Sequence, residues 1–237
     1  MIEKNSQGMA DVVLKNISTR WSCRVFSDEA VPKSTVSILL DAANCAPSPM
    51  NTQPWEFVVL TGEPLMRFRE NVGEWLKTPE PKGEHEVNLL PEGDYCTSLP
   101  KRLADRKKEH LERMAKQAAS VGMSLKEAYP FTFYCYNAPV VIMVVGDTVK
   151  RDRHGLEIHQ ALAAAIQNIL LAAHSMGYGA CWIGDIMRFG KRLHDHLRLD
   201  SMKEVVGAVA LGRPDMDSPV NRQRVPKRAP KVEWRGY

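Results

Sequence analysis

The chain has 237 residues, enough for one large domain or two small ones around a substantial buried core. Apolar residues make up 44% and charged residues 25%, ordinary for a globular protein, and no apolar run reaches the ~18 residues of a transmembrane helix. A net charge of +4 is too mild to argue for nucleic-acid binding, although it would attract an anionic dinucleotide.

The first predicted element is an amphipathic helix over about residues 9–18, with Val12, Val13 and Ile17 on its apolar face. A polar segment, Arg20-Trp21-Ser22-Cys23-Arg24, follows it. Pro32 and Ser34 open a second helix, with Val36, Leu39, Leu40 and Ala43 at helical spacing. Pro47 and Pro49 stop it, because proline lacks a donor and disfavours a helical residue before it. Phe57–Leu60 is a short buried strand, and Pro64 begins a helix carrying Leu65, Phe68, Val72 and Trp75. Thr78 to Pro100 is rich in proline and poor in apolar residues, and so reads as irregular. Lys101–Lys116 reads as a charged helix, and Tyr129–Tyr134 concentrates aromatics. An insert as long as 78–134 is usually functional or disordered, and we read it as a lid or wall over an active site, with Tyr129, Phe131, Phe133 and Tyr134 facing the acceptor.

Val140–Val145 is a continuous apolar strand of the kind covered on both faces. A long helix over about 156–176 carries Leu162, Ala165, Ile166, Ile169, Leu170 and Ala173, and Gly177 ends it. Ala180–Ile183 is a strand, Lys191–Arg198 a helix, and Val205–Leu211 another buried strand. From Asp215 onward the chain is basic and proline-punctuated, an extended arm. Without a repeat or a clear linker, the whole of 1–237 reads as one α+β domain. Met1–Gln7 lack a signal peptide's apolar core. Five scattered cysteines without C-x-x-C spacing read as reduced thiols, so the expected location is cytoplasmic.

Chemistry concentrates in two places. In an extended segment Arg20, Ser22 and Arg24 point the same way, and two guanidinium forks with a hydroxyl suit a phosphate. Taken alone, they better describe a solvated arginine pair at a helix end, which is common on surfaces. The loop Ala46-Pro47-Ser48-Pro49-Met50-Asn51-Thr52-Gln53-Pro54-Trp55 pairs rigidifying prolines with donors and acceptors suited to a heteroaromatic edge. Taken alone, it could also be a capped helix-to-strand connection. Competing motifs are weak: Gly177-Tyr178-Gly179 lacks the third glycine of a dinucleotide fingerprint and follows a helix. His194 and His196 diverge on their helix, no residue cluster suggests a metal, and Cys181 has no activating base.

At this spacing the two segments together resemble the nitroreductase family of flavin-mononucleotide enzymes. The family wording R-R-S-x-R-x-F and A-P-S-x-x-N-x-Q-P-W is matched by Arg20–Phe26 and Ala46–Trp55. Ala138-Pro139, Gly177–Gly184 and Leu211–Pro214 extend the likeness over nearly all the chain except 78–130. The departure is Trp21, where the family often has a second basic residue, so Trp21 is carried over for its backbone.

The resemblance implies a mostly antiparallel central sheet flanked by helices, with a C-terminal arm, in an intertwined homodimer holding FMN at the subunit interface. Arg20, Trp21, Ser22 and Arg24 would come from one subunit, and Pro47, Ser48, Pro49, Asn51 and Gln53 from the other. Arg222 and Arg224 would complete the phosphate site. Trp182, Ile183, Gly184 and Asp185 would pass the reactive flavin edge, with the backbone at Gly184 and Asp185 near N5. The implied activity is ping-pong hydride transfer from NAD(P)H through flavin N5 to an electron-poor acceptor such as a nitroaromatic or quinone. A reductive dehalogenase, a flavin-fragmenting enzyme and a non-catalytic flavin-binding protein are the alternatives. Neither a metal, nor nucleic acid, nor a membrane is an expected partner.

Overall fold

Four strands form an antiparallel sheet in the order β1-β2-β4-β3, with β1 at Glu56–Leu60, β2 at Val140–Asp147, β3 at Gly179–Ile183 and β4 at Lys203–Gly212. This computed structural model describes residues 2–78, 99–149 and 152–236. The irregular stretch expected between Thr78 and Pro100 therefore falls, at 79–98, outside the described residues. Side chains alternate along β2: Val140, Ile142 and Val144 enter one core, and Val141, Met143 and Val145 enter the other. That is why its sequence is a continuous apolar run.

Helices α2 (Lys33–Asn44) and α6 (Arg153–Ser175) cover the first face. Val36, Leu39 and Ala43 of α2 share its core with Leu162, Ala165, Ile166 and Ile169 of α6. By length and composition α6 could cross a membrane, but here its apolar face is spent on the sheet. On the other face, α3 (Gly62–Lys77) contributes Leu65, Phe68 and Val72, and α7 (Gly190–Leu197) contributes Leu193.

The first helix, α1, spans Ile2–Thr19, beginning earlier than its periodicity suggests. It touches α6, where Asn16 donates to the Leu171 carbonyl at 3.0 Å, but the described residues leave Val12, Val13 and Ile17 68%, 51% and 50% exposed. The charged helix α4 (Lys101–Ala119) runs three residues past its expected end, to Ala119. A short α5 (Leu125–Ala128) follows, started by a reciprocal Ser124–Glu127 capping box. The aromatic run then turns twice, through Tyr129–Thr132 and Cys135–Asn137. Cys135, Tyr136 and Asn137 all take positive φ, 52°, 52° and 54°. Arg69 of α3 braces that turn by donating to the carbonyls of Tyr134 (3.3 Å) and Ala138 (2.6 Å). After the single turn α8 (Pro219–Arg222), the tail has no regular structure and is mostly exposed. It crosses α4 of its own chain, where Arg228 pairs with Glu109.

Candidate active site

The Arg20–Arg24 segment is fixed to the open edge of the sheet. Cys23 N–H donates to the Ala180 carbonyl at 3.0 Å, and Ser22 bridges Ala180 in parallel. Gly179 permits this approach, since a Cβ there would lie 2.6 Å from Cys23 Sγ. From the far end of the chain the fully buried Asn221 clamps the same segment. Its Oδ1 accepts from the N–H groups of Arg24 (3.2 Å) and Val25 (3.3 Å). Its Nδ2 donates to the carbonyls of Val25 (2.6 Å) and Asp215 (2.7 Å). No motif marks Asn221; only its place beside Arg222 could have drawn attention to it.

Beside this segment opens a cleft of about 340 Å³, within the range of small-molecule sites. Ser22, Arg24, Trp182, Ile183, Gly184 and Asp185 line it together, as their motifs suggest. Trp182 is 42% exposed, although its strand is otherwise buried. Gly207 on the neighbouring strand makes room for it, since a Cβ there would meet the indole Nε1 at 2.7 Å. Gly184 has φ −92° and would tolerate a side chain, the nearest atom to a Cβ being Met187 Cε at 3.7 Å. Among the described residues neither backbone strain nor packing demands glycine there, so the surface beside Gly184 is open. Arg24 Nε is buried without a hydrogen-bond partner, and a buried donor in that state costs free energy until a ligand or water meets it. An exposed flat indole and an orphaned guanidinium N–H fit a planar heteroaromatic group with acceptor atoms.

The expected site residues are not all gathered here. Arg224 stacks on Trp21, its Cζ 3.8 Å from the ring centroid, and its charge reaches His174. Arg20 also acts on His174. Arg222 is turned away, bonded to the Met216 carbonyl (2.7 Å) and Asp217 (3.0 Å). Pro47, Ser48, Pro49, Asn51 and Gln53 do not line the cleft; their loop lies against α6. Met50, Asn51 and Gln53 hold positive φ, and Ser48 Oγ accepts from Gln53 N–H at 3.0 Å.

The aromatic lid residues separate. Tyr129 lines the cleft and its hydroxyl donates to Asp185 at 3.2 Å. Phe133, expected to face an acceptor, instead sits 7% exposed in the core against Phe189. Tyr134 packs against the same core. Phe131 lines a second, smaller cavity of about 160 Å³ behind Arg24 and Tyr136.

Sequence reasoning missed Tyr136, which the strained turn aims into the cleft and whose hydroxyl bonds Thr132 and Arg24. It also missed Lys107, His110, Leu111 and Met114 of α4. Their helical spacing marks one face, but nothing local says what that face covers. Burial pushes the thiols of Cys23 and Cys135 up to about 12 and raises that of Cys181 as well. None of the three is a nucleophile at neutral pH.

The family model described as the nitroreductase family matches residues 17–213. This chain belongs to the nitroreductase family. Among curated relatives, a 4-nitrobenzoate reductase of Pseudomonas putida is 26% identical over 89% of both chains. A putative NADH dehydrogenase/NAD(P)H nitroreductase of Methanothermobacter thermautotrophicus is 29% identical over 85% of this chain and 77% of its own. The fold matches that of the FMN and NADPH-dependent nitroreductase NfnB from a Sphigopyxis species, with TM-score 0.81, 21% identity and coverage of 95% and 99%. It also matches the FMN-dependent NfnB of Mycobacterium smegmatis in complex with NADPH, with TM-score 0.80, 21% identity and coverage of 93% and 96%.

Proposed function

We propose that this family member is an FMN-dependent NAD(P)H oxidoreductase that reduces electron-poor acceptors, nitroaromatics foremost. The observation that carries the reading is the cleft in which Arg24, Trp182 and Gly184 converge on a planar polar ligand. The relatives' names, a 4-nitrobenzoate reductase and NAD(P)H nitroreductases, point to the same chemistry. Bound FMN would supply hydride acceptance and donation at its N5, which is the cofactor's own chemistry.

The residues have simpler tasks. Ser22 and Arg24 would hold the polar edge of the ring, and Arg24 would place positive charge where electron density gathers. The backbone at Gly184 and Asp185 would pass the reactive edge of the bound ring. Trp182 would give an apolar surface beside the ring, and Tyr129 is held at the cleft wall by its bond to Asp185. Arg20 and Arg224 are assigned to the phosphate. No acid–base pair is needed in such a site, and none was found in the sequence.

The site is read as shared between two copies of the chain. Two features support this: the exposed apolar side chains of α1, and the strained Pro47–Gln53 loop, which stands outside the cleft of its own chain. Strain of this kind gathers where a ligand or partner determines the conformation.

The purified protein should be yellow, or become so with FMN, and its flavin band should bleach on rapid mixing with NADH or NADPH under anaerobic conditions. A protein that stays colourless after mixing with FMN would overturn the cofactor assignment. A loaded protein that never bleaches would mark a flavin-binding module without turnover.

A further inference from the structure

The second cavity, of about 160 Å³, lies between the C-terminal half of α4, the short α5 and α8. Arg24, Met114 and Tyr136 line both it and the cleft, so they form the partition between the two spaces. The polar groups of that partition are committed: Tyr136 bonds Arg24 and Thr132, and Arg24 is assigned to the flavin edge. Apart from them, the lining among the described residues is apolar except at Gln117. Met114, Gln117, Ala118 and Val121 are the i, i+3, i+4, i+7 positions of one face of α4, so a glutamine interrupts an otherwise apolar stripe. Gln117 is 7% exposed. Its backbone carbonyl accepts from Ser120 Oγ at 2.7 Å, but among the described residues its side-chain amide makes no hydrogen bond. A buried amide in that state costs free energy until something bonds it, and a leucine there would avoid the cost.

We propose that this cavity is a second small-molecule site, which takes an uncharged one-ring aromatic carrying one hydrogen-bonding group, of the phenol class. A cavity of roughly 150 Å³ holds one benzene-sized ring. The Gln117 amide both donates and accepts, and so can meet a hydroxyl in either sense. Met114, Met123 and Phe131 surround the ring, and thioethers pack favourably against aromatic edges. Val121 and Phe131 line the cavity yet are 44% and 40% exposed, which gives the ligand a way in. An ionised ligand would lose its hydration against this lining. The proposal goes beyond the flavin reading and does not depend on what fills the cleft.

The experiment titrates 4-fluorophenol, fluorobenzene and 4-fluorobenzoate into the full chain, as purified and after addition of FMN. Fluorine NMR follows binding, and the visible spectrum follows the flavin. The phenol should saturate one site per chain without shifting the flavin band, and should bind roughly fivefold more tightly than fluorobenzene, the size of one neutral hydrogen bond. Gln117→Leu should bring the two affinities within about twofold of each other and leave FMN binding unchanged. Ala128→Phe, which puts a ring into the cavity, should abolish binding of both; should that variant not fold, Gln117→Leu decides alone. A preference for the phenol that survives in Gln117→Leu overturns the site, as does the absence of saturable binding. Equal or tighter binding of 4-fluorobenzoate would place recognition at Arg24 and overturn it too. So would a phenol that shifts the flavin band and still binds Ala128→Phe, because it would sit in the cleft. A chain that takes up no FMN but binds the phenol through Gln117 sinks the flavin reading and leaves this site standing.

Discussion

On the sheet side of the cleft, each site residue lies close to a ladder or clamp hydrogen bond, as Cys23 to Ala180 and Asn221 to Arg24 illustrate. On the helical side, α4 is held by a few contacts at its edges, among them the Arg228–Glu109 pair and a Gln223–Ser120 bond at 3.5 Å. The difference is one of preorganisation. A cofactor that stays bound through many turnovers needs donors fixed to a rigid scaffold, whereas acceptors that come and go tolerate a wall held by marginal contacts.

The contrast can be broken most forcibly at Asn221. Asn221→Leu would leave the N–H groups of Arg24 and Val25 and the Asp215 carbonyl without their partner in a partly buried place, while the Val25 carbonyl keeps the Asp215 N–H at 3.1 Å. At roughly 1–3 kcal/mol for each unsatisfied group, the loss should be several kcal/mol, less whatever water repairs. Urea unfolding should show a much lower midpoint and the protein should lose FMN. Arg228→Ala, on the wall, should leave the midpoint nearly in place, because its ion pair is exposed. Equal midpoints for the two variants would dissolve the distinction between a fixed floor and a loose wall.

Next in size are the cofactor contacts themselves. Arg24→Ala should weaken FMN binding by about 1.5–3 kcal/mol, a factor of roughly ten to a hundred. The geometry also separates the two C-terminal arginines that the sequence treats as a pair. Arg224 stacks on Trp21 beside Arg20 and His174, whereas Arg222 is tied to Asp217 and the Met216 carbonyl. Titration of apo protein with FMN should therefore show a larger loss for Arg224→Ala than for Arg222→Ala. The reverse order would mean that the tail rearranges around the phosphate.

Tyr129→Phe probes where wall and floor meet. It removes the hydroxyl that holds Asp185, a bond contributing about 1 kcal/mol or somewhat more to a charged acceptor. Acceptor kcat/KM should fall by a few-fold while FMN affinity stays within about twofold. If the FMN constant moved as far as the acceptor constant, Tyr129 would belong to the floor.

What the sequence disclosed follows the same division. Strands, core helices and the Arg20–Arg24 and Trp182–Asp185 pieces were legible because each is a local pattern: period-2 or 3.6 hydrophobicity, or a short motif fixed by backbone pairing. Asn221, Tyr136, Lys107 and His110 were not, because their roles depend on which distant element lies beside them. Phe133 shows the same limit from the other direction: an aromatic in a polar insert suggests a lid, and only packing against Phe189 reveals a core residue. The apolar face of α1 was read correctly as a pattern, yet the described residues leave half or more of it exposed. A single chain's sequence does not say which of its hydrophobic faces belongs to a neighbour.

The smallest effect compares the floor with itself as the pH changes. His174 bonds Thr19 Oγ1 at 2.9 Å and is held below the ordinary 6.5, first by burial and then by the charges of Arg20 and Arg224. A phosphate gripped by those two arginines would neutralise the repulsion, so the imidazolium would form more easily and a proton would be taken up on binding. A ligand that raises a pKa binds more tightly as pH falls through the region between the free and bound values. FMN affinity should accordingly rise between about pH 7.5 and about pH 5.5, by less than ~10-fold per pH unit because one proton is involved. His174→Gln should flatten that rise. Riboflavin, which has the ring without the phosphate, should show none of it in either protein. A pH slope that survives in His174→Gln, or that riboflavin shares, would move the proton, and with it the phosphate, away from the Arg20–Arg224 end of the floor.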